Sequence, residues 1–575
     1  MLQSHAVEHV IATITALNSS IPINSYRETD DHRLGSAAEL AAIILVQQKI
    51  EAIGDEDSRV PSILIDQDVG FALLYLKNAM LASTTYLSTP GDGDSPSFAA
   101  IRRRFVSAAK LVRNQAFDFQ EIATFRGLFG EGEIPQVLSR LRLPGAKQVL
   151  DLVEAMRDQI QTAFDTALLA AADGSSRHVA PDVIDKLASD MVLDGEGLAR
   201  ASQMTTSEVA QTLDLLRLPS STAIPDVDGN TQVARLHPLV GVGSGDMCPI
   251  PQNLLPALRI RFEDQIKSSG EISDWESYND HRASWVEQQG VSGIASFLGA
   301  DVAETNVPLM RGKQRVGEID GLVVLENVAI VLEAKSAGLR ALAYQDDPDV
   351  LKDNIRDLFE KAGQQLTRAE QALRESPERL VSTDGTPLGL QRGQITEVHR
   401  LSLTLEDASF VAPVIWALQD ERFLDPSVPV PWAVSVHQLQ TICRILEWSA
   451  QLIDWLRERK RFAEQRIVSA VDELDLFMAH LSNSLNLDYP DASNVFLPSG
   501  TDEIAEWVLY KEGVRTRPSP RPQQPFSDVD ARRELRAIHR KRSEGWLHRA
   551  LNVIEQERAE KPRVHMSSIP PMAGV

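Results

Sequence analysis

Cysteine is nearly absent: Cys248 and Cys443 are the only two in 575 residues. They lie in no pairing motif, so neither a structural disulfide nor a Cys-based zinc site is expected. Positive charge is short as well. The chain has 58 Lys+Arg against 81 Asp+Glu, a formal net charge of −23, which excludes a protein that coats nucleic acid by bulk charge. It does not exclude a local basic surface. No segment offers a run of about 18 uncharged apolar residues, so no membrane span is predicted. Residues Met1–His9 lack the basic and apolar regions of a signal peptide, and the expected location is cytoplasmic.

The remaining composition is that of an ordinary globular protein, with 43% hydrophobic and 24% charged residues, which excludes collagen-like and wholly disordered chains. The length favours several domains. Residues 1–270 read mainly as helices, at Ala37–Ile53, Phe71–Leu87, Phe98–Arg113 and Gly145–Ala171. Within this region, residues 197–217 have the spacing of a helix-turn-helix, with Ser207 as a cap and Val209, Leu213 and Leu216 inside. Glu208 and Asp214 suit a phosphate-facing helix poorly, and a plain helical hairpin is preferred.

The texture changes over 271–445. Ser273-Asp-Trp-Glu276 is a capping-box signature opening a helix towards Leu298. Strand-like runs follow at Val302–Leu309, Val316–Leu325 and Val328–Lys335. An amphipathic helix at Val350–Leu373 comes next, then strands at Val398–Leu405 and Pro431–Val436. That order is α/β. Residues 446–510 return to helix, and 511–575 read as a proline-rich linker and a basic tail. Residues 511–563 hold 14 Lys+Arg and 8 Asp+Glu, a net of +6 that leaves −29 on the rest. Such a tail suits nucleic acid, a solvated helix or a docked protein segment about equally.

Chemistry concentrates in Gly317-Glu-Ile-Asp320 and Glu333-Ala-Lys335. A hairpin with a two-residue turn at Glu326-Asn327 sets Asp320 opposite Glu333 and Glu318 opposite Lys335, all on one face because strand side chains alternate. Two carboxylates this close raise each other's pKa, and a hard divalent cation held by oxygen ligands relieves the repulsion. Lys335 points into the same place, where it can hold an attacking water or stabilise phosphate charge. The Ala334 carbonyl is a further candidate ligand. The alternative is an ordinary surface salt-bridge ladder.

These residues resemble the PD-(D/E)XK nuclease superfamily, nearest to its Mrr-like, nuclease-related-domain and Holliday-junction-resolvase branches. The resemblance spans roughly 275–445. Ile319-Asp320 stands where the literal Pro-Asp would be. The resemblance implies a multidomain, mainly α protein with a central restriction-endonuclease-like α/β core, a mixed sheet flanked by helices. It implies a Mg²⁺-dependent endonuclease, with Mn²⁺ as a substitute, acting on DNA rather than RNA in defence or repair. Asp320 and Glu333 would bind metal, with Glu287 from the first core helix as a further ligand, and Lys335 would assist water attack. A glutamine on the following helix would join the site. Ile355, Leu358, Ala362, Leu366 and Ala369 define that helix's apolar stripe, Gln365 lies on its edge and Gln364 well off it. Lys361 and Arg368, on the flank of Gln365, are candidate phosphate contacts or a solvated face. A nuclease fold that has lost activity and only binds nucleic acid or a protein partner is the alternative function, and the helical flanks suit a protein partner or a homo-oligomer.

Two further patterns carry little. His5-Ala-Val-Glu-His9 mimics a zinc-protease string without a third ligand, and Gly241-Val-Gly-Ser-Gly245 lacks the ending of a P-loop.

Overall fold

The computed structural model describes residues 116–173, 181–219, 232–242, 245–311, 314–336, 355–406, 415–420, 424–466, 468–470, 472–482, 495–497, 501–522 and 529–560, with Ile11, Asp353, Ala412 and Arg422 as single positions. The helices expected at Ala37–Ile53, Phe71–Leu87 and Phe98–Arg113, and the His5/His9 string, lie outside these residues. Among the described residues helix predominates around one five-stranded sheet, and no helix is long and apolar enough to cross a membrane. The chain divides into two units, Met1–His281 and Arg282–Val575. The division falls inside a helix that runs unbroken from Ile272 to Leu298.

The first unit is helical, with α1 (Asp118–Gly130), α2 (Ile134–Arg140), α3 (Ala146–Asp173), α4 (Pro181–Asp190), α5 (Gly195–Ser202) and α6 (Thr206–Leu216). A short hairpin of β1 (Val240–Val242) and β2 (Gly245–Met247) precedes α7 (Leu254–Ser268). Helix α3 matches the predicted Gly145–Ala171 within two residues at each end, and it buries Val149, Leu152, Val153, Met156 and Ile160 at helical spacing. Phe125, Phe129, Phe262 and Tyr278 form a buried ring cluster with neighbouring centroids 4.7 to 5.8 Å apart. The helix–turn–helix spacing is realised as α5, a Gln203–Thr205 turn and α6. Its cap is Thr205, not Ser207. Thr205 is extended, its hydroxyl accepts the Glu208 N–H at 3.2 Å, and the Glu208 carboxylate accepts the Thr205 N–H at 2.7 Å. The exposed positions of α6 include Thr206, Ser207, Ala210, Gln211 and Asp214, with no basic residue among them.

The second unit is built on strands β3 (Val302–Arg311), β4 (Gln314–Leu325), β5 (Val328–Lys335), β6 (Glu397–Thr404) and β7 (Trp432–Ser435), hydrogen-bonded in that order. β3, β4 and β5 are antiparallel neighbours, whereas β5, β6 and β7 run parallel. The switch follows from the connections. A short turn joins β4 to β5, but β5 and β6 are joined by a long crossover carrying a helix. Helix α8 (Ile272–Leu298) covers one face. A Cβ on its Gly290 would strike Leu403 and Leu332, and a Cβ on Gly321 would strike its Val291, so these glycines permit close helix–sheet packing. Ser273 lies inside α8, not at its cap, since the helix starts a residue earlier.

The other face carries α9 (Ala362–Glu375), preceded by a π-helical turn at Arg356–Lys361. Leu366, Ala369 and Leu373 of α9 pack with Leu322, Val324, Ala329 and Val331 of the central hairpin. Each large aliphatic side chain so buried contributes about 1.5–3 kcal/mol. The predicted stripe Ile355, Leu358, Ala362, Leu366 and Ala369 is buried throughout. The π turn, which periodicity does not reveal, also buries Phe359.

Helix α10 (Ile415–Asp420) lies in the β6–β7 connection, and beyond β7 come α11 (Val436–Ile445), α12 (Ser449–Gln465), α13 (Glu473–Leu481), α14 (Asp502–Lys511), α15 (Val529–Lys541) and α16 (Trp546–Glu560). Within the basic tail, the polar stretch Arg532–Arg558 reads from sequence as helix-like, and it forms most of α15 and α16 in this unit. They bury Leu535, Trp546, Leu547, Leu551 and Ile554. Their cations are engaged: Arg558 pairs with the buried Asp454 and with Glu458, and Arg542 donates to the carbonyls of Leu298 and Gly299 at the end of α8. Arg521, in the preceding linker, donates to the Ile445 and Leu446 carbonyls that end α11.

Candidate active site at the open end of the hairpin

The β4–β5 register matches the one expected from the two-residue turn. Leu325 pairs with Val328 and Gly321 with Leu332. The described ladder ends there, one step before Asp320 and Glu333. At that step the Asp320 Oδ2 accepts the Ala334 N–H at 2.8 Å, so a side chain takes the place of a main-chain acceptor. This bond fixes Asp320 beside β5 at the strand end where Glu333 and Lys335 stand.

Glu333 is 4% exposed, so it is not part of a surface ladder. Across the parallel β5–β6 ladder it is in register with Ser402, whose hydroxyl donates to the Leu358 carbonyl at 2.9 Å and ties the π turn to the sheet. The Lys335 Nζ donates to Glu333 Oε1 at 2.7 Å and to Gln365 Oε1 at 3.4 Å. Gln365 is half-buried and Gln364 exposed, as the helix phase predicted. The π turn and α9 therefore place one amide over the lysine.

Glu287 projects from α8, and its Oε2 accepts from Asn306 Nδ2 at 2.9 Å. Asn306 was missed in the sequence reading. It stands between the pairs Thr305–Gly321 and Val307–Ile319, across from Asp320, with a left-handed φ of 55°. An asparagine inside a strand is the signal that marks it, because asparagine tolerates this region best after glycine. Glu318 does not meet Lys335. It is exposed and pairs with Arg315 on its own strand, because β4 has by then run past β5.

The electrostatics follow from burial. Burial first, then the Asp320 charge, pushes the Glu333 carboxyl up to about 7 despite Lys335. Burial also raises Asp320, against the lowering effect of the Ala334 N–H and of Lys335. Burial and Asp320 push Glu287 up to about 7. Three acids thus lie near one another with too little positive charge to ionise them comfortably. Among the described residues no group of three or more His, Cys, Asp or Glu is arranged to hold a metal ion. The oxygen donors that stand together are the Asp320 and Glu333 carboxylates, with the Ala334 backbone between the strands.

Lys361, at the end of the π turn, and Arg368, on α9 with Gln365, are both exposed. Lys361 pairs with Asp357, whose hydrogen bond and charge hold its pKa above the usual lysine value.

No protein-family model matches this chain, no curated protein matches it, and no solved structure matches its fold.

Proposed function

We propose that the chain is a metal-dependent nuclease that hydrolyses phosphodiester bonds, with DNA as the substrate. The observation that carries this reading is the meeting of Asp320, Glu333 and Lys335 at one strand end, with one buried and one half-buried carboxylate left short of positive charge. A mixed sheet flanked by helices suits the resemblance to the PD-(D/E)XK superfamily. Hard oxygen donors fit Mg²⁺, with Mn²⁺ as a substitute, and Asp320, Glu333 and the Ala334 carbonyl would hold it. Once bound, such an ion supplies the positive charge that activates water and stabilises the leaving oxygen. Glu287, from α8, adds negative charge near Asp320.

The protein's own groups would do the rest. The Lys335 ammonium, held by Glu333 and Gln365, orients water and stabilises the charge that develops on the phosphate. Gln365 acts through Lys335 and is a positioning residue. Lys361 and Arg368 would meet flanking phosphates, where they fix the register of the strand rather than its sequence.

One observation favours a second reading, a nuclease fold that binds without cutting: the described site offers no group of three acids arranged around a metal. Incubating DNA and RNA of several forms with Mg²⁺ or Mn²⁺, with wild type, Glu333→Ala and Lys335→Ala, separates the two. Metal-dependent cleavage lost in both variants is the expected result. Cleavage that survives both substitutions refutes the site, and binding without cleavage in any metal favours the second reading.

A further inference from the structure

The β3–β4 pair does not end where the sheet ends. β4 pairs with β5 only from Gly321 to Leu325, whereas its ladder with β3 continues to Arg311–Gln314. A ribbon two strands wide therefore extends past the sheet, at the end that carries Asp320 and Glu333. At about 3.3 Å per residue, Arg315 lies roughly 17 Å along β4 from Asp320. That spans about five nucleotide steps of a duplex.

Three features set this ribbon apart from the rest of the surface. Among the described residues only four large hydrophobic side chains are exposed: Leu169, Ile272, Met310 and Val316. Two of the four are here. From Thr305 to Gly317 the sequence holds Arg311, Lys313 and Arg315 and no acid, within a chain of net charge −23. The Arg315 side chain is 57% exposed and rests on Glu318, two residues before Asp320. An exposed arginine beside exposed apolar side chains, on a narrow strand pair, is what a phosphate-lined groove accommodates, and a major groove admits a two-stranded ribbon.

We propose that the β3–β4 ribbon is a docking arm for duplex DNA, with Arg315 on a phosphate and Met310 and Val316 against the groove wall. The proposal deepens the nuclease reading and rests on it for the choice of DNA. A protein strand adding to the free edge of β4 is the competing occupant. The bulge between Leu309 and Met310 interrupts the ladder at this point, and bulges hinder edge-to-edge pairing. The local positive charge also favours a polyanion.

The test uses the full chain in the Glu333→Gln background, so that bound DNA stays intact, and a fluorescent duplex of about 25 base pairs followed by anisotropy at several salt concentrations. Arg315→Ala is expected to weaken binding roughly fivefold or more and to reduce the salt slope by about one. Met310→Ser with Val316→Ser is expected to weaken binding with the salt slope unchanged. Arg533→Ala, at an exposed position of α15, is the control and should bind as the parent does. Hydrogen exchange on the unsubstituted chain covers the case of a misfolded variant: duplex should protect the amides of Met310–Val316. Parental affinity in all ribbon variants, absence of duplex binding, or lack of amide protection overturns the proposal. Protection that grows with protein concentration without DNA overturns it in favour of strand pairing. Cleavage by wild type in Mg²⁺ with unchanged ribbon variants would refute the arm and leave the nuclease standing. Ribbon-dependent binding without cleavage in any metal would do the reverse.

Discussion

Replacing Glu333 with glutamine should stabilise the metal-free protein while abolishing its chemistry. The carboxyl moves from an ordinary 4.5 up to about 7 on folding, because it is buried beside Asp320. At about 1.4 kcal/mol per unit, that shift costs the ionised folded state about 3 kcal/mol. The group is too deeply buried for solvent to discount this much. The sign is fixed by linkage. Below about pH 4.5 the proton is bound in both the folded and unfolded chains and no penalty arises. Between about 4.5 and 7 the unfolded chain releases its proton first, so stability falls as pH rises, and above 7 the full penalty is in force. Glu333→Gln keeps an oxygen for the Lys335 Nζ and has no charge to lose. Urea unfolding with EDTA should therefore find the variant about 3 kcal/mol more stable than wild type at pH 8 and nearly equal at pH 4.5. For a domain of this size that is a rise of roughly 6 °C in Tm. Added Mg²⁺ should stabilise wild type and not the variant. Parallel stability profiles between pH 5 and 8, or a variant less stable at pH 8, would refute the electrostatic account of the site.

Gln365→Ala should lower kcat roughly 10- to 100-fold with little change in KM, because it removes one of two partners that hold the Lys335 amine without touching substrate; an equal rise in KM would instead mark it as a binding residue. Gly363→Ala should destabilise the protein by about 1–3 kcal/mol in urea titrations, because the new Cβ would sit 2.6 Å from the Pro429 carbonyl oxygen, a backbone atom with little room to move. Arg558→Ala should cost about 3–5 kcal/mol by the same measurement, since it strands the fully buried Asp454, already pushed up to about 6. A neutral result for Arg558→Ala would mean that α16 does not dock through this pair.

The β4–β5 hairpin was legible because two independent signals agreed. Continuous apolar runs, Leu322–Leu325 and Val328–Leu332, set its length, and a two-residue turn at Glu326-Asn327 set its register to the residue. The Gln365 position was legible for a similar reason, since a buried stripe fixes helix phase. What escaped was set by side chains acting on main chain. The left-handed Asn306, the Asp320 carboxylate replacing a ladder acceptor, and the π turn that buries Phe359 leave no periodic trace. The break at Leu446–Trp448 between α11 and α12 belongs here too, because one Gln451 side chain accepts from the amides of Glu447 and Trp448. The net charge of 511–563 was countable, but its use was not. Arg521, Arg542 and Arg558 bind carbonyls and carboxylates of this unit, which composition cannot distinguish from cations free to meet phosphate.

The treatment of buried acids elsewhere in the second unit sharpens the case for the site. Glu397 is held down to about 2 by hydrogen bonds from Arg457 and His399, which outweigh its burial. The fully buried Glu473 is bonded to Arg459 and to the Trp432 indole N–H. At the turn end of the hairpin, Glu326 accepts the Leu547 N–H at the start of α16, where the helix dipole favours its charge. Asp454 remains raised even with Arg558 beside it, because it is buried completely. Among the described residues no arginine pairs with Asp320, Glu333 or Glu287; one lysine, Lys335, serves Asp320 and Glu333, and Glu287 accepts from the neutral Asn306 amide. An acid cluster that the fold leaves short of charge at one strand end, when it supplies guanidinium groups for buried acids nearby, is better explained by a cation or a reaction than by packing. That contrast survives even if the docking arm proves wrong. It fails if Mg²⁺ leaves the stability of wild type unchanged at pH 8.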